Sequence, residues 1–290
     1  MSIILQDVTY TYMPGTPFER TAIENVSIEI PSGKITAIAG HTGSGKSTLI
    51  QHLSGLLKPS NGKVLVDDVD INIKNNNESK MARRQVGMVF QYPEQQLFEE
   101  TVEADIAFGP RNLGLTEEEI SVRVKEAMEF VNLDYDTYAK RSPFQLSGGQ
   151  MRRVAIAGII AMHPKYLVLD EPVAGLDPRS KEELLKRIRK LHEKQGITIV
   201  FISHNMEDIA NMADKVIIMN QGKILLEGSP KEVFDMSQAD DILLAGLLPP
   251  KTAIILDGLN RGGLKVDTSA YTVEKGVELI YQALKEAGRC

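Results

Sequence analysis

The segment Gly40-His-Thr-Gly-Ser-Gly-Lys-Ser47 constrains this chain more than any other feature. It has the pattern glycine, four residues, Gly-Lys-Ser, and it joins the apolar run Ile35 to Ala39 to a stretch of helical character, Thr48 to Leu57. The glycines let the backbone curl so that successive N–H groups point at phosphate oxygens, and the start of the following helix adds favourable partial charge. In that cradle Gly40, His41, Thr42, Gly43, Ser44, Gly45 and Thr48 surround the phosphates, Lys46 neutralises the β and γ groups, and the Ser47 hydroxyl ligates Mg²⁺. A strand, a tight loop and a helix in this order commit the chain to an α/β fold that binds a nucleoside triphosphate.

The rest of the chain keeps that rhythm. Tyr166 to Leu169 and Ile197 to Ile202 are nearly continuous apolar runs, as expected of central parallel strands buried on both faces. Ile3 to Tyr12 and Ala22 to Ile30 instead have period-two character, and Pro31-Ser-Gly33 supplies a turn, so an antiparallel β layer flanks the parallel core. Thr116 and Glu119 form a capping box ahead of Ile120, Val124, Ala127, Met128 and Val131 at helical spacing. Met151 to Ala161 also has helical composition, and Asn75-Asn-Asn77 reads as a short solvated loop. The α/β rhythm ends around Gly228-Ser-Pro230. Beyond it Pro249-Pro250, Gly262-Gly263 and an amphipathic stretch from Thr272 to Ala287 indicate a small appended domain, which suits 290 residues at about 150 per domain.

A second acidic site fits phosphate chemistry. Tyr166-Leu-Val-Leu-Asp-Glu171 is an apolar strand ending in two carboxylates, where parallel strands usually present ligands. Asp170 is placed to hold Mg²⁺, and Glu171 to orient and polarise an attacking water.

Between these motifs lies Leu146-Ser-Gly-Gly-Gln150, again small residues at a helix start. With it the chain resembles the ATP-binding cassette ATPases. The resemblance implies an α/β phosphate-loop ATPase core, a mixed sheet with a flanking antiparallel β layer, plus a helical subdomain and a small C-terminal extension. It implies an ATP hydrolase using ATP and Mg²⁺, in which Ser147, Gly148, Gly149 and Gln150 face the nucleotide held by the other subunit. Gln91, after the strand Val86 to Phe90, resembles the glutamine that senses Mg²⁺ and the attacking water. Asp177 in Ala174-Gly-Leu-Asp-Pro178 resembles the inter-subunit loop, His204 the switch histidine at the γ-phosphate, and Tyr12 the residue that stacks on adenine, with Tyr10 as the fallback. The imidazoles of His41, His52, His163 and His192 are read as structural.

Residues 1–235 carry the cassette pattern, with the helical subdomain at about 92–165, and 236–290 form the extension. Tyr92-Pro-Glu-Gln-Gln-Leu-Phe98 followed by Phe108-Gly-Pro-Arg-Asn112 resembles the ATPases of energy-coupling factor importers, which take up vitamins or metal ions, and most of all the second of their two paralogous subunits. Leu97 and Phe98 would line a groove for a coupling helix. Leu247-Leu-Pro-Pro-Lys-Thr resembles the extension that holds the two subunits together. The partners implied are a second cassette ATPase, as a heterodimer or homodimer, an integral membrane coupling subunit and a substrate-binding membrane subunit, without nucleic acid.

Other readings explain less. An importer of another kind, such as one for amino acids, leaves the 92–98 segment and the extension unexplained. Chromosome-maintenance cassettes insert a coiled coil between the two phosphate motifs, and no heptads occur there. Ribosome-associated cassettes pair two in one chain. A GTPase or small-molecule kinase lacks a use for the 146–150 signature.

No apolar run approaches the ~18 residues needed to cross a bilayer, and the first residues lack the features of a secretory signal. The expected location is the cytoplasmic face of the membrane, held there by partners. The single cysteine, Cys290, leaves no internal disulfide, and a net charge of −6 argues against phosphate-backbone binding as the main task.

Overall fold

The computed structural model describes residues 1–288, and Cys290 lies outside the described residues. The strands are β1 (Ser2–Tyr12), β2 (Arg20–Pro31), β3 (Ile35–Ala39), β4 (Asn61–Val66), β5 (Val69–Asp70), β6 (Val86–Val89), β7 (Tyr166–Leu169), β8 (Thr198–Ile202), β9 (Lys215–Asn220) and β10 (Lys223–Gly228). The helices are α1 (Lys46–Leu53), α2 (Asn77–Arg84), α3 (Val102–Asn112), α4 (Glu117–Phe130), α5 (Tyr135–Tyr138), α6 (Gly148–Ile160), α7 (Pro178–Gln195), α8 (Met206–Met212), α9 (Pro230–Val233), α10 (Ala239–Leu244), α11 (Lys251–Arg261) and α12 (Val273–Glu286).

An antiparallel sheet has the order β2-β1-β4-β5, and a six-stranded sheet the order β10-β9-β3-β8-β7-β6. In the larger sheet β9, β3, β8, β7 and β6 run parallel, and β10 is antiparallel at one edge. The mixed sheet and the flanking antiparallel layer therefore stand as the sequence implied.

Strands β3, β7 and β8 are buried at every position. Successive residues feed two different cores, because strand side chains alternate between faces. Leu167, Leu169, Ile199 and Phe201 pack on the side of α6 with Val154 and Ile160. Val168, Val200 and Ile202 pack on the other side, with Leu49 and Leu53 of α1 and the inner face of the antiparallel sheet. Tyr166 pins that sheet to the parallel one, its hydroxyl donating to Asp67 at 2.6 Å.

Three local expectations shift. The helix after the phosphate loop begins at Lys46 and stops at Leu53, because Gly55 turns the chain at φ +70°. The central strand read from Ile197 begins at Thr198. The asparagine run read as a loop is one only for Asn75 and Asn76: Asn77 opens α2, and the Asn76 side chain caps it by accepting from the N–H groups of Glu78 and Ser79. The capping box of Thr116 and Glu119 is formed on α4 with both reciprocal bonds.

Toward the C-terminus, Ile242, Ala245 and Leu247 belong to the main core. Leu256, Leu264, Val266, Ala270 and Ala283, contributed by α11, α12 and the segment between them, make a small cluster of their own. No helix among the described residues is long and apolar enough to cross a membrane.

Candidate active site

Strand order builds the site. The phosphate loop follows β3, His204 follows β8, Glu171 follows β7 and Gln91 follows β6, and these four strands are neighbours in the order β3-β8-β7-β6. Because they are parallel, their carboxyl ends lie along one edge of the sheet, where α/β folds bind ligands.

The loop has the conformation its glycines allow. Gly40 sits at φ +150° and Gly45 at φ +104°; a Cβ would stand 2.3 Å from the Met219 carbonyl oxygen at the first and 2.6 Å from the Ala22 carbonyl oxygen at the second. Lys46 is 6% exposed, and its ammonium donates to the carbonyls of Gly40 at 2.8 Å and His41 at 2.9 Å. Burial lowers its pKa, against the opposing pull of Glu171 and Asp170. The His41 N–H donates to the Ala245 carbonyl at 3.0 Å, and its ring meets the Asn220 side-chain oxygen at 3.1 Å. Ser44 is fully buried, and its hydroxyl has no partner among the described residues. The Tyr12 and Thr48 hydroxyls are 3.2 Å apart. A cavity of about 300 Å³ opens above the loop, walled by Tyr12, Arg20, Lys46, Ser47, Gln91 and Glu171. Thr42, Gly43, Gly45, Thr48 and His204 also border it.

Glu171 is the meeting point of the site. One carboxylate oxygen lies 2.6 Å from His204 Nε2, and the other accepts from Gln91 Nε2 at 3.1 Å. Its backbone is at φ +47°, a region costly for a residue with a side chain and common where function dictates placement. Beneath it Asp170 is 7% exposed. Burial pushes its pKa up, a hydrogen bond from Ser47 opposes that, Glu171 adds to it and Lys46 counters it.

The donor set suits Mg²⁺. Ser47, Asp170 and the Gln91 amide offer oxygen ligands, the kind a hard cation takes. No group of three His, Cys, Asp or Glu side chains among the described residues is arranged to hold a metal. A cation here would therefore depend on phosphate oxygens for the rest of its shell, as Mg²⁺ bound with a nucleotide does.

Other residues singled out in the sequence lie elsewhere. Ser147, Gly148 and Gly149 are exposed at the start of α6 and do not border the cavity. Ser147 and Gln150 form a capping box there, the Ser147 N–H donating to Gln150 Oε1 at 2.9 Å, while Gln150 Nε2 donates to the Tyr138 hydroxyl at 3.1 Å. Asp177 is exposed and caps α7, accepting from the N–H groups of Arg179 and Ser180 at 3.1 Å each. His52, His163 and His192 stay outside the cavity, bonded to the Thr48 carbonyl, Glu126 and the Ile197 carbonyl. On the helical side, Leu97 is buried while Phe98 is exposed and meets Phe108 edge to face at 4.9 Å. Both phenylalanines and Leu97 line a groove of about 420 Å³ with Gly109, Ile159 and Met162.

Sequence reasoning passed over Arg20 and Arg152. Arg20 pairs with Tyr12 across the β1–β2 hairpin and reaches the Gly43 turn of the phosphate loop. Only the hairpin register reveals it, since the Met13–Glu19 connection hides the pairing in the sequence.

The chain is similar to several known proteins. The family described as ABC transporter matches residues 23–174. The energy-coupling factor transporter ATP-binding protein EcfA2 of Clostridium tetani is 51% identical over 95% of this chain and 94% of its own length. The EcfA2 protein of Clostridium acetobutylicum is 50% identical over 100% of both chains. Among solved structures, cbiO1 of Clostridium perfringens, part of the ABC transporter complex cbiONQ, superposes with a TM-score of 0.70 and 37% identity over 83% of this chain and 94% of its own. A dimeric ATP-binding cassette in a post-hydrolysis state with ADP and Pi has a TM-score of 0.70 and 30% identity, over 78% of this chain and 98% of its own.

Proposed function

The chain belongs to the ABC transporter family, in its energy-coupling factor ATP-binding branch, and we propose that it is the ATP-hydrolysing subunit that powers an importer of vitamins or metal ions. The observation that carries this reading is the Glu171 carboxylate, held by both Gln91 and His204 at the mouth of the phosphate loop. A carboxylate so placed can take a proton from water while its neighbours fix its orientation.

In this reading Tyr12 stacks on the adenine, the loop from Gly40 to Thr48 cradles the phosphates and Lys46 offsets their charge. Ser47, Asp170 and Gln91 would hold Mg²⁺, which would supply charge neutralisation at the phosphates. Glu171 accepts the proton of the attacking water, and His204 steadies both that carboxylate and the γ-phosphate. Ser147 to Gln150 and Asp177 lie outside the cavity, which supports a second cassette completing each site: this chain's signature would face its partner's nucleotide. ATP binding then draws two cassettes together, and hydrolysis with loss of phosphate contacts releases them.

Residues 1–235 act as the motor, with the helical subdomain at 92–165 offering the Phe98–Phe108 groove to the coupling helix of a membrane subunit. Residues 236–290 stabilise the pair of cassettes. The chain thereby sits at the cytoplasmic face of the membrane through its partners.

Affinity purification of the full chain from detergent-solubilised membranes of its native cell tests this reading. Recovery of an integral membrane subunit together with a second cassette is expected. Recovery of ribosomes or DNA in their place would overturn it.

A further inference from the structure

Arg152 lies one turn into α6, downstream of the Ser147–Gln150 signature, and is only 6% exposed. Its partners are main-chain carbonyls. One Nη donates to Ala174, and the other to Gln91 at 2.7 Å and to Glu171 at 3.5 Å, while Nε is buried without a partner among the described residues. This is an expensive arrangement. A buried guanidinium carries a large desolvation penalty unless it is paired. Folding alone would favour an apolar or amide side chain here.

The three carbonyls identify what the charge achieves. They belong to the residue that donates to the Glu171 carboxylate, to Glu171 itself and to the segment leading into Asp177. No other contact described above joins the signature helix to all three. On its far side Arg152 borders a cavity of about 110 Å³ between α6 and α7, shared with Gly149 and Leu176. The fork of Arg152 would carry any shift of α6 against α7 into Gln91 and Glu171.

We infer that Arg152 is a positioning residue that transmits the placement of the signature helix to Gln91 and Glu171, and so links engagement of one composite site to hydrolysis in the other. The inference rests on the ATP-hydrolysing reading proposed above. Because Arg152 does not border the nucleotide cavity, its loss should alter turnover and leave nucleotide binding in place.

The test compares the full-length wild type with Arg152→Gln and Arg152→Lys. For Arg152→Gln, kcat for ATP hydrolysis is expected to fall about 10-fold or more with KM within about twofold. Hydrogen exchange is expected to rise by about 10-fold in peptides spanning Gln91 and Ala174, and to stay unchanged in Gly43–Ser47. Arg152→Lys keeps the charge and bulk but not the fork, so a loss of about threefold is expected. Should Arg152→Gln fail to fold, the Lys variant decides. Turnover within twofold of wild type in the variants that fold, or a kcat loss matched by an equal rise in KM and by faster exchange throughout the chain, would overturn the inference. Turnover is measured on the chain co-purified with its second cassette; a wild-type pair that hydrolyses no ATP would count against the functional reading instead, and the exchange comparison would still test the Arg152 contacts.

Discussion

His204 Nε2 lies 2.6 Å from a carboxylate oxygen of Glu171, although the two residues come from loops after different strands. The contact follows from β7 and β8 being parallel neighbours, with Leu169 beside Phe201 in register. Because His204 steadies the base and is not itself the base, replacing it with Ala should lower kcat by about 10- to 100-fold, at or below the lower end of the about 10²–10⁴-fold that a positioned acid or base contributes. ATP affinity should fall by less than kcat does, by the single γ-phosphate contact that His204 provides. Steady-state hydrolysis beside equilibrium nucleotide binding checks both.

Lys46 donates to the two carbonyls that open the phosphate loop, and burial already disfavours its charge. The loop thus holds an ammonium ready for phosphate oxygens. Lys46→Ala should weaken ATP binding by about 10- to 100-fold, the equivalent of a charged hydrogen bond worth about 1.5–3 kcal/mol. Titration calorimetry measures the change, and unaltered affinity would count against the cradle.

Asp170 gives a pH signature. Its pKa in the folded protein is raised, chiefly by burial. A raised carboxyl favours the fold below the ordinary carboxylate range, and that contribution is lost as pH rises through the folded value. At neutral pH the nucleotide-free protein therefore carries the cost of a buried ionised group. Asp170→Asn should raise the melting temperature of the nucleotide-free protein near neutral pH and flatten its dependence on acidification. It should also abolish the extra stabilisation that Mg²⁺ adds to ATP. Melting curves across pH, with and without Mg²⁺ and ATP, read all three effects.

Gly45 is fixed by sterics. At φ +104°, with the Ala22 carbonyl 2.6 Å from where a Cβ would stand, Gly45→Ala must distort either the loop or β2. A strained backbone position costs about 1–3 kcal/mol, so the melting temperature should drop by several degrees and ATP binding should weaken. Differential scanning calorimetry detects the first and fluorescent-nucleotide binding the second.

Much of the site is visible in the sequence where the chemistry is local. Gly40 to Ser47 declare a backbone shape, and Tyr166 to Glu171 a buried strand ending in acid. The joining of Gln91, Glu171 and His204 is not local. It depends on the order β8-β7-β6, in which β7 and β8 follow β6 in the chain only after the whole helical region. Resemblance supplied Gln91 and His204, the acidic strand end supplied Glu171, and the sheet supplies their contact. Arg20 was hidden by the hairpin register, and Arg152 by its partners being backbone carbonyls, which leave no side-chain pattern to read. The capping role of Asn76 was hidden for a related reason, since a capping asparagine and a solvated one look alike until the helix behind them is seen.

Glu171→Gln bears most directly on the central claim, because it keeps the size of the side chain and removes the ability to take a proton. Single-turnover hydrolysis measured beside ATP affinity should show binding unchanged and hydrolysis slowed by about 100-fold or more. Turnover near that of the wild type would contradict the assignment of Glu171 as the base.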